Sequence, residues 1–210
     1  VVAGGNGVGS ALNQLKYPYG FALDSSGSIY IGDRHNDRII KWTLGVTSGT
    51  VVAGGNGQGS GLDQLSYPYD VTLDISGNIY IADESNHRII KWAPGASEGI
   101  VVAGGNGQGS SDNQLDSPRG IALDSSGNIY VSDISNHRII KWEPDATEGT
   151  VVAGGNGKGN EANQFYQPHH VYVDDSGNIY VADTQNHRIM KWAPGASEGS
   201  VVAGGNGVGS

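Results

Sequence analysis

VVAGGNG stands at Val1–Gly7 and again at 51–57, 101–107, 151–157 and 201–207, so a period of 50 residues runs through the whole chain of 210. Self-similarity at a fixed period of this length marks an array of like modules, each too small to hide its apolar surface alone. The units run at about 1–50, 51–100, 101–150 and 151–200, and 201–210 repeats 1–10. No linker or shift in composition interrupts the series, and residues 1–210 read as a single array.

Each unit reads as four short strands. Phe21-Ala22-Leu23 leads into Asp24-Ser25-Ser26-Gly27, whose Asp and Gly favour a tight reversal. Ile29-Tyr30-Ile31 follows, ended by the polar turn from Asp33 to Asn36. Arg38 to Trp42 is the third strand, stopped by Gly45, or by Pro94-Gly95 and Pro194-Gly195 in other units. Val51-Val52-Ala53 is the fourth, ended by Gly54-Gly55. No stretch carries the 3, 4, 7 spacing of a helix, so the chain is all-β. Ile39 and Ile40 point to opposite faces of their sheet, as do Ile29 and Tyr30. A sheet that is apolar on both faces must be covered on both. The spacing therefore predicts a β-propeller of four-stranded antiparallel blades, with four 50-residue repeats and one extra outer strand.

Composition removes several classes of function. With no cysteine, disulfides, thiolate metal sites and cysteine nucleophiles are excluded, and every redox compartment is compatible. No Asn-x-Ser/Thr sequon occurs, and no apolar run approaches the ~20 residues of a membrane span. The net charge of −9 repels polyanions. Eight of the 12 basic residues recur in every unit, as Arg38, Arg88, Arg138, Arg188 and Lys41, Lys91, Lys141, Lys191. Lys16, Arg34, Arg119 and Lys158 alone lie outside that pattern, too few for a basic patch. Neither nucleic acid nor a membrane is an expected partner.

The tract NIYVADTQNHRIMKW at 178–192 resembles an NHL repeat, the family named for an Asn-His-Leu tripeptide. Asn86-His87-Arg88, Asn136-His137-Arg138 and Asn186-His187-Arg188 carry the motif with Arg-Ile in place of Leu, while the first unit departs from it with Asn36-Asp37-Arg38. The resemblance covers four units. It implies a closed propeller, most often of six blades, used as a binding platform. Members of the family bind RNA or proteins, and one branch is an amidating lyase. The long insert GGNGxGSxxNQL makes each unit longer than is common there, and the same fold serves all these roles.

Five copies of the fourth strand accompany four sets of the other three, so a closed ring has one copy to spare. Val8 and Val208 agree while the internal copies carry Gln58, Gln108 and Lys158. Either the chain is a window from a longer array, or the spare VVAGG strand pairs with another protein or another copy, since an unpaired edge is a template for strand addition.

Residues repeated in every blade are expected to build the blade. Asp33, Asp83, Asp133 and Asp183 should cap their turns and pair with Arg38, Arg88, Arg138 and Arg188 or with backbone N–H groups. His87, His137 and His187 read as hydrogen-bonding braces, since one His per blade spreads zinc ligands around the ring rather than gathering them. Asp24-Ser25-Ser26-Gly27 lacks the further carboxylates of a calcium loop and reads as a hairpin turn. GGNGxGS lacks the third Gly of a dinucleotide fingerprint and reads as a flexible connector. No cofactor or metal is expected.

Local function should sit where the blades differ. Before the first strand the units read Tyr17-Pro18-Tyr19-Gly20, Tyr67-Pro68-Tyr69-Asp70, Ser117-Pro118-Arg119-Gly120 and Gln167-Pro168-His169-His170. A second variable set, Arg34-His35, Glu84-Ser85, Ile134-Ser135 and Thr184-Gln185, lies in the turn between the second and third strands. Both sets should fall at one end of the blades, near the channel mouth. Tyr17, Tyr19, Tyr67, Tyr69, Asp70, Arg119, His169 and His170 are thus the candidate ligand-binding residues, suited to stacking on sugar rings or holding a peptide. No nucleophile with its base and no paired carboxylates can be identified, so no catalytic residue is assigned. A structural, self-associating scaffold and a recognition platform are the functions expected, with a lyase-like enzyme built on His169, His170, Asp70 and Arg119 as the remaining alternative.

Overall fold

The computed structural model describes residues 1–207. It contains four four-stranded antiparallel sheets, each taking its strands in sequence order. The first blade holds β1 (Pro18–Leu23), β2 (Ile29–Asp33), β3 (Arg38–Trp42) and β4 (Thr50–Gly54). The second holds β5 (Pro68–Leu73), β6 (Ile79–Asp83), β7 (Arg88–Trp92) and β8 (Ile100–Gly104). The third holds β9 (Pro118–Leu123), β10 (Ile129–Asp133), β11 (Arg138–Trp142) and β12 (Thr150–Gly154). The fourth holds β13 (Pro168–Val173), β14 (Ile179–Asp183), β15 (Arg188–Trp192) and β16 (Ser200–Gly204).

Local chemistry sets the two inner hairpins of each blade. In the first turn Asp24 Oδ1 accepts the N–H groups of Ser26 at 3.0 Å and Ser28 at 2.9 Å, an Asx turn with Gly27 at a positive φ of 78°. The second turn is a single 3-10 turn, Arg34–Asn36, closed by Asp37 in the left-handed region; His87, His137 and His187 take that conformation in the other blades. Asp and His are among the side chains that tolerate it best. Register is then the same in every blade: Ile29 opposes Trp42, Ile31 opposes Ile40 and Asp33 opposes Arg38.

The blades stand side by side through their innermost strands, β1 on β5, β5 on β9 and β9 on β13. Tyr30, Ile39 and Ala53 of the first blade meet Leu65, Val71 and Trp92 of the second. The same positions, advanced by 50 and by 100, form the next two junctions, with Phe165 in place of leucine at the last. Alternation along each strand thus sends apolar groups to both neighbours, which is how apolar sheets become buried on two faces. The series does not return on itself: β13 and β1 are not packed together in this way. Four blades make an arc, with an uncovered face at each end.

The glycine-rich insert is pinned rather than flexible. Arg38 Nη1 donates to Ser10 O at 2.7 Å and Nη2 to Gln14 O at 3.1 Å, while Asn36 Nδ2 donates to Gly9 O at 2.9 Å. Gln14 Nε2 closes the loop by donating to Asn6 O at 2.9 Å. A Cβ at Gly9 would fall on the Gln14 side chain, which is why this position carries none. Composition suggested freedom; the guanidinium and two carboxamides take it away.

The first VVAGG copy differs from the other four. Val1–Gly5 forms no strand. It still lies along the first blade, with Gly4 beside Leu15 as Gly54 lies beside Leu65. Val208, whose identity with Val8 the sequence singled out, lies outside the described residues.

Candidate functional site

Each blade contains one polar clamp. Asp33 is fully buried; its Oδ1 accepts the Lys16 N–H at 2.7 Å, and its Oδ2 accepts from Asn36 Nδ2 at 2.8 Å and Arg38 Nε at 2.7 Å. Asp83 with Arg88, Asp133 with Arg138 and Asp183 with Arg188 repeat the arrangement at the same Arg–Asp distance. Burial pushes the carboxyls of Asp83 and Asp133 up, and their hydrogen bonds from asparagine, arginine and backbone N–H oppose it. Both Asp33 oxygens and all three Arg38 guanidinium nitrogens are thus engaged inside the protein.

The histidines join blades. His87 Nδ1 accepts the Ser117 N–H at 3.1 Å and His137 Nδ1 the Gln167 N–H at 3.3 Å, while Asp37 Oδ1 takes the Tyr67 N–H at 2.9 Å. Tyr67, Ser117 and Gln167 sit at positive φ of 53–56° directly before proline. Such backbone is strained; the preceding blade staples it in these three, while Tyr17 takes the same conformation, at 51°, without a staple. Among the described residues no cluster of His, Asp and Glu is arranged to hold a metal.

The variable residues of all four blades converge at one end of the blades. Tyr19 stacks on Tyr69 with ring centroids 4.6 Å apart, and Arg119 lies 4.8 Å over the Tyr69 ring. Arg119 Nη1 is 3.0 Å from His169 Nε2. The same Nη1 is 3.4 Å from His169 Nδ1, so the guanidinium lies against the imidazole, whose Nδ1 is also 3.4 Å from Tyr69 Oη. Burial lowers the His169 pKa and the Arg119 charge lowers it further, against the pull of Glu84. Tyr17 and Tyr67 flank His35, at 4.5 Å and 5.3 Å between centroids.

Glu84 is the hub of this cluster, and it was not among the candidate residues. It is 6% exposed; Arg34 Nη2 donates to its Oε2 at 2.6 Å and Arg119 Nε to its Oε1 at 2.9 Å. Arg34 also lies 4.8 Å over the Tyr67 ring. Its signal in the sequence was the second variable set, where arginine at 34 faces glutamate at the matching position 84.

Asp70 and His170 belong elsewhere. Position 20 of the unit is Gly20, Asp70, Gly120 and His170, and a Cβ on Gly120 would stand 2.7 Å from the His170 backbone. Asp70 Oδ2 reaches within 3.6 Å of His170 Nδ1 across the third blade. The Asp70 carboxylate also accepts the N–H groups of Val71 at 2.9 Å and Ile121 at 3.2 Å. Burial raises its pKa, opposed by His170 and those N–H groups. Asp70 therefore ties strands together beneath the mouth.

The NHL repeat family matches residues 65–92, 115–142 and 165–192, one tract in each of the last three blades. No curated protein sequence matches the chain. Among solved structures, a protein of unknown function from Bacteroides thetaiotaomicron superposes with a TM-score of 0.67 at 20% identity, over 84% of this chain and 47% of its own. An auxiliary nutrient binding protein from the same organism gives 0.66 at 18% identity, over 87% and 49%. Virginiamycin B lyase from Staphylococcus aureus gives 0.55 at 14% identity, over 91% and 56%. The chain spans about half the length of these structures, and at such identities the likeness is one of fold. Three of the four blades thus carry NHL repeats, the first blade is built in the same way, and the shared fold is that of a β-propeller.

Proposed function

We propose that the chain is a non-catalytic scaffold that presents one recognition surface, the cluster of Tyr17, Tyr19, Tyr67, Tyr69, Arg34, Arg119 and His169, to a carbohydrate. One observation carries this reading: the polar residues common to all blades are consumed in building them, whereas those that vary gather at one end. Tyr17 and Tyr19 keep ring faces open, at 61% and 49% exposure. Flat aromatic faces beside fixed guanidinium donors suit a sugar, which offers an apolar face and a rim of hydroxyls.

Catalysis would need a nucleophile with its base, or two carboxylates facing an open site. Both Glu84 oxygens are engaged by arginines, and Asp70 lies below the surface. These features support the non-catalytic reading. The likeness to a lyase and to a nutrient binding protein is one of fold and does not choose between them.

The test is calorimetric titration of a panel of soluble oligosaccharides against the chain and its Tyr19→Ala/Arg119→Ala variant. The variant should bind about tenfold more weakly or worse, as loss of an aromatic anchor does at a small site. Equal binding by both proteins, or capture of peptides instead of sugars, would overturn the carbohydrate assignment.

A further inference from the structure

The two uncovered faces of the arc carry the same residues that are buried at its three junctions. Position 21 on the leading face is Val71, Ile121 or Val171 inside, at 1–4% exposure, but Phe21 at 65% in the first blade. Position 39 on the trailing face is Ile39, Ile89 or Ile139 inside, at 0%, but Ile189 at 37% in the fourth. His187, the counterpart of the interblade staples His87 and His137, is exposed, and Tyr17 N–H lacks the acceptor that Tyr67, Ser117 and Gln167 have.

Each face also has a vacant seat. On the first blade a cavity of about 280 Å³ is lined by Val2, Ala3, Leu15, Pro18, Phe21 and Ile31, where the junctions receive a tyrosine and an isoleucine from the preceding blade. On the fourth a cavity of about 270 Å³ is lined by Ala182, His187, Ile189, Ala203 and Gly204. At the matching place in earlier blades Leu65, Leu115 and Phe165 lie against Gly54, Gly104 and Gly154. The first blade thus carries the leucine, Leu15, that fits the fourth blade's seat.

We infer that a second copy of this chain docks head to tail on the arc, its first blade covering the fourth, with its Val1–Gly5 replacing β16 as that blade's outer strand. The replacement follows from chain continuity. At each internal junction the outer strand of one blade runs directly into the insert of the next, as β4 does through Asn56 to Leu65. Val1–Gly5 runs in the same way through Asn6 to Leu15, and already has Gly4 beside Leu15. It and β16 cannot share one place, and β16 is exposed along its whole length. The internal register, Ile139 opposite Ala153 and Arg138 opposite Gly154, sets Ile189 of one copy opposite Ala3 of the other. A heterologous contact of this kind closes into a ring when its rotation fits. The arc superposes on about half of each of two propellers roughly twice its length. Two arcs of four blades make eight, within the ~4–8 common in propellers. The docked face adjoins the carbohydrate site at Tyr17 and Tyr19, but the inference does not rest on that site.

Light scattering on the 210-residue chain should give twice its 21.8 kDa, and Phe21→Asp, a change at an exposed position, should give 21.8 kDa with the same β-sheet circular dichroism. A wild-type mass of one copy, or of three or more, would overturn the two-copy ring. The chain has no cysteine, so engineered pairs report cleanly. Ala3→Cys/Ile189→Cys should oxidise to a covalent dimer. Ile189→Cys/Ala203→Cys, the register pair within one chain, should close as a monomer in the Phe21→Asp background and fail to close in the wild-type one. A dimer in which the second pair closes and the first does not would overturn the strand exchange.

Discussion

The junction between the third and fourth blades and the free face of the fourth differ in one respect: a sister sheet stands against the first and not the second. Ile139 and Ile189 occupy the same place in the repeat and make the same strand pairs, yet one is fully buried and the other 37% exposed. The hydrogen-bonded frame of a blade is therefore set within the blade, and its apolar cover by the neighbour. This is the energetic logic of repeat proteins, in which stability is a sum of module and interface contributions.

The comparison breaks first at the clamp, which belongs to the blade. Arg138→Ala leaves the carboxylate of Asp133 buried without its cation, a defect that costs about 3–5 kcal/mol. Urea unfolding of the Phe21→Asp monomer should show that loss, and the same from Arg88→Ala; a loss below about 1 kcal/mol would mean the clamp adds little beyond packing. Next comes the cover. In the same monomer Ile139→Ala should cost about 2–5 kcal/mol and Ile189→Ala about 0.5 kcal/mol. Equal costs would show that the fourth blade's face is covered in the monomer as well.

Two smaller effects sharpen the junction itself. Ser132 Oγ donates to Pro168 O at 2.7 Å across it, and the other blades have Gly32, Ala82 and Ala182 at that position. Ser132→Ala should cost about 1 kcal/mol, read by the same unfolding curves. Asp70→Asn should stabilise the protein at neutral pH. The carboxyl's folded pKa lies above its ordinary 3.8, so the folded chain holds this proton more tightly than the unfolded one. Stability is then lost as pH rises from 3.8 through the folded value and stays lower above it. Melting temperatures of the two proteins should coincide below that window and separate above it. A destabilised Asp70→Asn at neutral pH would mean that attraction to His170 outweighs the cost of burial.

The blade was legible in the sequence because its information is local. Asp24 and Gly27 mark a turn, Ile39 beside Ile40 marks a sheet buried on both faces, and the 50-residue period repeats the message. The pinned insert was misread because glycine content reports backbone freedom, while the restraint comes from Arg38 and Asn36, more than twenty residues away. The mouth was half legible. Variation among units pointed to Tyr19, Tyr69, Arg119 and His169, yet Glu84 emerged as the hub only when 34, 84 and 119 were brought together in space. Asp70 lies under the surface for a related reason: its carboxylate takes the N–H of Ile121 in the neighbouring blade and packs where Gly20 has no side chain.

The central claim is that the blades fan around an axis instead of lining up in a row. Tyr69 and His169 test it, because they lie two blades and a hundred residues apart with ring centroids 6.2 Å from each other. Nuclear Overhauser contacts between their ring protons, measured beside those of the adjacent-blade pair Tyr19 and Tyr69 at 4.6 Å, decide the matter. The account predicts cross-peaks for both pairs. A cross-peak for Tyr19–Tyr69 with none for Tyr69–His169 would contradict it.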